Sequence, residues 1–200
     1  MPGRIAFSGL IVLFLIGLTA CRASSPVSPT PTLPDVQAEE EAVYAALFEQ
    51  TYNEPRMYVI QAETETHAMP QDLNTLLAYV QEGMASLQET TIENFKARND
   101  TTYPLRPDMQ LGRPYVLLTR EEINQIFGLN TSGWDVFYTR YPNSPGLTRV
   151  SRVGFNSDYT QALVYIGTQS HWLAGAGYYV LLEKVEGQWK IIQEVMVWIS

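Results

Sequence analysis

The chain is predicted to be an α+β protein, with N-terminal helices packed on a curved C-terminal antiparallel sheet. Two observations carry this. Apolar residues recur at helical spacing over the first half of the chain, most clearly at Leu73, Leu76, Leu77, Val80, Met84 and Leu87. From Leu147 onward the pattern changes to runs of β-branched and aromatic residues separated by short turns, which is the signature of an antiparallel meander.

Before the globular part comes an export segment. Arg4 supplies a positive start, and Ile5 to Leu18 is apolar apart from Ser8. At about fourteen residues the run is short for a bilayer span, which takes about 20. Residues 1–20 therefore read as a signal peptide. Residues 21–35 follow as a tether rich in proline, serine and threonine, and 36–200 as a single globular domain. Extended, the tether reaches about 40 Å at roughly 3.1 Å per residue.

The signal boundary reads Leu18-Thr19-Ala20-Cys21. This resembles the bacterial lipobox, a branched apolar residue and two small residues before a cysteine. The resemblance implies that the Cys21 thiol takes a diacylglyceryl group and becomes the new N-terminus, further acylated with fatty acid such as palmitate. It implies a cell-envelope lipoprotein, lipid-anchored to the outer face of a membrane. Each buried methylene contributes about 0.8 kcal/mol, and two or more chains hold stably where one does not.

In the domain, Asp35 can cap a helix beginning at Val36, with Glu39, Glu40 and Glu41 in its early turns and Val43, Tyr44, Leu47 and Phe48 as its apolar stripe. Glu54-Pro55 ends it. Tyr58 to Thr64 is an expected strand. Pro70 suits the first position of the second helix, with Asp72 among the polar residues opposite its apolar face. Ile92 and Phe95 continue that helix or start a short successor. Tyr115 to Leu118 is a strand. Thr119-Arg120-Glu121-Glu122 matches a capping box, and Ser132 to Tyr141 forms a further helix. Four strands are expected at Leu147–Phe155, Thr160–Thr168, Gly177–Val185 and Gln188–Ile199. Several are apolar on both faces, so helices must cover one face and strong curvature or a dimer contact must shield the other.

Helices followed by a curved meander ending in Gly187-Gln188-Trp189-Lys190-Ile191 resemble the NTF2-like α+β cone. That resemblance implies a cavity within the sheet, which some members use for acid–base chemistry and others for none. Val153-Gly154-Phe155-Asn156 through Thr160-Gln161-Ala162-Leu163-Val164-Tyr165 also resembles bacterial secreted proteins of no known activity.

The net charge is −8, and Arg4 is the single charge of the first twenty residues, so the domain is more acidic still. Such a chain repels phosphate backbones, which argues against nucleic acid. A lone cysteine excludes an intramolecular disulfide and cysteine zinc clusters. No nucleophile elbow, phosphate loop or His-x-x-x-His pair occurs, and neither a catalytic residue nor a metal site is assigned. His67 near Glu63 and Glu65 reads as a solvated polar loop. Ser170 and His171 are strand neighbours on opposite faces and make a poor nucleophile–base pair. Nothing calls for a cofactor. All four tryptophans lie in Trp134–Ser200. Trp172 stands in the expected Gln169–Ala176 hairpin beside His171, and Trp134 and Tyr138 share a helix face. These four are the candidate binding residues, the partner being an envelope protein or a small ligand. A non-enzymatic binding or interaction module is the leading reading. A cavity enzyme with acid–base chemistry and a structural homo-oligomer are the alternatives.

Overall fold

A computed structural model describes residues 3, 35–51, 57–66, 72–128 and 132–200. The chain divides into two compact units, Met1–Leu33 and Pro34–Ser200, and every helix and strand of the described residues belongs to the second. Cys21, Pro55, His67 and Pro70 lie outside the described residues.

The elements run α1 (Val36–Thr51), β1 (Tyr58–Gln61), α2 (Leu73–Gly83), α3 (Glu89–Arg98), β2 (Tyr115–Leu118), α4 (Arg120–Phe127), α5 (Gly133–Arg140), β3 (Leu147–Val150), β4 (Gly154–Phe155), β5 (Gln161–His171), β6 (Ala174–Val185) and β7 (Gln188–Ile199). Side chains set the helix starts. Asp35 Oδ1 accepts from the Gln37 amide, and Asp72 Oδ1 accepts from the amides of Asn74 and Thr75 at 3.0 Å. Asp72 is thus an N-cap and not a member of a polar face, because the free amide donors of the first turn need an acceptor there. Thr119 and Glu122 form the expected capping box at α4. Buried Met84 and Leu87 sit in the bend that separates α2 from α3.

The sheet is mixed and open, in the order β2-β1-β3-β5-β6-β7, with β4 paired to β5. This corrects the expected curved antiparallel meander. β3, β5, β6 and β7 do run antiparallel, but β1 pairs parallel with both β2 and β3. The sheet is neither closed nor curled, which removes the NTF2-like cone and the sheet-wrapped cavity it implied.

The doubly apolar strands have a different explanation. Side chains alternate between faces along a strand. On β5, Ala162, Val164 and Ile166 pack with Val43, Tyr44, Leu47 and Phe48 of α1. Leu163 and Tyr165 pack on the other face with Leu76, Leu77, Val80, Ile92 and Phe95 of α2 and α3. The register Val59↔Leu147↔Gln169 puts the α4–α5 cluster on this second face as well, where Ile126, Trp134 and Phe137 meet Val59 and Leu147. Helices therefore cover both faces of β5, which accounts for its doubly apolar sequence, while Ile192, Met196 and Ile199 of the edge strand β7 stay exposed. Met109 and Leu111 complete the α1 side.

Two links fasten α1 to the sheet. Glu39 accepts from Lys184 Nζ at 2.5 Å and from Trp189 Nε1 at 3.0 Å, so the tryptophan of the Gly187-to-Ile191 segment is a packing residue with a bonded indole. Glu40, 8% exposed, accepts two bonds from Arg152, at 3.3 and 3.0 Å, and one from the Val153 amide at 3.0 Å. Arg98 Nη2 lies 2.8 Å from the same carboxylate as an ion pair.

Candidate functional site

The β5–β6 connection is tighter than the sequence suggests. Strand pairing continues to His171↔Ala174, so the turn is Trp172-Leu173 alone and not a loop over Gln169–Ala176. The small residues from Ala174 to Gly177 stay in the ladder because Trp198 of β7 lies across them. A Cβ on Gly177 would collide with the Trp198 indole. The indole Nε1 donates to Tyr165 Oη at 2.8 Å. These glycines admit a side chain of the protein's own and not a ligand.

The four candidate residues come together. Tyr138 Oη donates to the Ser170 carbonyl at 2.9 Å, at a bulge between Gln169 and His171 that breaks the ladder there. His171 stacks on Trp134, with ring centroids 6.3 Å apart and planes 24° off parallel. Trp172 meets Trp134 edge-on at 6.3 Å and Phe127 edge-on at 6.0 Å. Trp134 in turn packs on Phe127, Phe137 and Tyr138 at 4.8 to 5.9 Å. The hairpin tip therefore leans on α5 and the end of α4.

Their roles differ. Trp134 is 5% exposed and belongs to the core; its Nε1–H is buried and has no hydrogen-bond partner. Tyr138 is half-buried, and burial raises the pKa of its hydroxyl. It serves as a strut between α5 and β5. His171, Trp172 and Leu173 are the residues presented to solvent, Trp172 44% and Leu173 83% exposed. Ile199 of β7, 71% exposed, pairs with Ala176 and so projects to the α1 face of the sheet, opposite the ring cluster of the tip. Sequence reasoning missed Phe127. Phe127 reads as one more apolar residue of α4, and only the fold brings it against Trp172.

Chemistry is sparse around this tip. Ser170 Oγ donates to the Ala174 carbonyl and not to His171. No group of three or more His, Cys, Asp and Glu side chains suited to a metal occurs among the described residues. Glu63 pairs with Arg120 at 3.0 Å and Glu65 with Arg149 at 3.9 Å. On the α1 face a cavity of about 40 Å³ is lined by Glu40, Tyr44, Thr64, Tyr103, Arg106 and Arg152. It has room for little more than water. Its charges are paired: Glu40 with Arg98 and Arg152, Glu41 with Arg106. Arg152 also lies over the Tyr103 ring at 4.2 Å.

No helix among the described residues is long and apolar enough to cross a membrane. No protein-family model matches the chain, and no curated protein or solved structure does.

Proposed function

We propose that the protein is a lipid-anchored lipoprotein of the cell envelope, acylated at Cys21, whose domain is a non-enzymatic interaction module. The observation that carries the module reading is the β5–β6 tip. Trp172 and Leu173 are exposed on a base of packed rings, where folding alone would favour polar residues. Such a base holds contact side chains in one geometry and lowers the entropy cost of binding. The interior is filled with apolar side chains on both sides of the sheet, which favours surface recognition over a buried small ligand.

The anchor rests on Leu18-Thr19-Ala20-Cys21, directly after the apolar run. Growing cells with a clickable fatty acid tests it. Wild type takes the label and Cys21→Ser does not; equal labelling of the two overturns the assignment. A structural homo-oligomer would bury the hairpin tip against a second copy. The mass in detergent separates the readings, with a monomer expected for the module.

A further inference from the structure

We infer that the hairpin tip is a wedge for the membrane to which the chain is tethered, with Trp172 and Leu173 entering the interface of a bilayer with neutral headgroups. This rests on the anchored-lipoprotein reading.

Three observations favour lipid over another partner. First, the tip is apolar in the way a bilayer interface requires. Its most exposed side chain is aliphatic, Leu173 at 83%, and the half-exposed one beside it is a tryptophan. Tryptophan rings settle at headgroup depth while aliphatic groups seek the chains.

Second, the end is free of formal charge in a strongly acidic protein. Tyr159 to Leu182 contains no Asp, Glu, Lys or Arg, and Val195 to Ser200 contains none. α5 behind the tip carries Asp135 and Arg140, one of each sign. Charges cost most at a bilayer, and they are missing where contact would occur. Without a basic cluster, anionic headgroups are not selected, so a neutral surface fits.

Third, the backbone flanking the turn is bonded. The tip is a two-residue turn between paired strands, Tyr138 satisfies the Ser170 carbonyl, and Gly175 and Ser200 pair with each other. A hairpin with bonded backbone enters an interface at lower cost than an open loop.

The test uses the full acylated protein in phosphatidylcholine vesicles. A polarity-sensitive dye is placed on Leu173→Cys and, as a control, on Tyr79→Cys, an exposed position of α2. Acylated Cys21 does not react with the dye. Flotation with the vesicles reports the anchor, and the dye reports the wedge. The expected result is flotation of both proteins, with a blue shift and quenching by brominated acyl chains only at position 173, unchanged in high salt. Flotation with both dyes equally in water overturns the wedge and leaves the anchor standing. Failure to float overturns both. A blue shift at 173 that high salt abolishes would mean headgroup electrostatics, and it too would overturn the neutral-interface assignment.

Discussion

Glu40 lies one helical turn ahead of Val43 and Tyr44, on the same inward stripe of α1. The sequence reads it as one of three acidic residues favoured by the helix dipole, yet the 3.6-residue period already places it inside. Burial alone would raise its pKa. The Arg152 hydrogen bonds, the Arg98 charge and the Val153 amide outweigh that and hold the carboxyl below the usual carboxylate range. Glu40→Ala would leave two arginines without their anion, so a loss of about 3–5 kcal/mol in urea unfolding is expected. Because the folded pKa is depressed, the group's contribution is present above the ordinary carboxylate pKa and lost as pH falls through the folded value. Wild-type stability should therefore drop more steeply than that of Glu40→Gln as pH is taken from neutral to about 3. Parallel pH profiles would show that the network does not carry the effect. The same scale separates the exposed and the buried rings of the site. Trp172→Ala should cost about 1–2 kcal/mol, the order of two edge-on ring contacts, while Phe137→Ala, fully buried in the adjoining cluster, should cost about 3–5 kcal/mol. Equal losses would place Trp172 in the core and remove it as a contact.

At the scale of elements, the strands β5, β6 and β7 were readable because β-branched and aromatic runs are bounded by turn residues. Glu186-Gly187 takes positive φ at both positions, 53° and 80°, as a tight hairpin demands. The other hairpin is tighter than its composition suggests, since Ala174-Gly175-Ala176-Gly177 looks like loop until Trp198 is seen lying on it. Only the register of β7, including its bulge at Val197 opposite Gly177 and Tyr178, reveals that contact. It makes a test with a definite sign. In an ordinary strand Gly→Ala gains roughly 0.5–1 kcal/mol. At Gly177 the new methyl meets the indole, and overpacking costs about 1–3 kcal/mol. The second term wins, so Gly177→Ala should lower the denaturant midpoint and disturb the Trp198 to Tyr165 bond. A neutral or stabilising result would mean that Trp198 does not sit there in solution. The capping box at α4 is the easier element to read, because all its partners lie within four residues. Thr119→Ala should cost about 1 kcal/mol.

At the scale of the whole molecule, the missing information was topological. The sequence shows that β5 and β6 are apolar on both sides, but periodicity does not say what covers each side. Two short segments supplied the answer, Tyr58–Gln61 and Tyr115–Leu118, which pair in parallel across more than fifty residues of chain. Parallel pairing at that separation leaves no local mark, because no turn connects the partners. Its consequence is that the helical and sheet-forming halves share one sheet: β1 joins β3, and α1 to α5 pack against strands drawn from both halves. The unit from Pro34 should therefore unfold in one step. Tryptophan fluorescence follows the C-terminal region, where all four indoles lie, and far-ultraviolet dichroism follows the helices, three of which precede β2. The two signals should give one coincident transition in urea. A dichroism transition that precedes the fluorescence would mean that α1 to α3 peel from a sheet able to stand alone. The parallel pairs of β1 would then be too weak to join the halves into a single core.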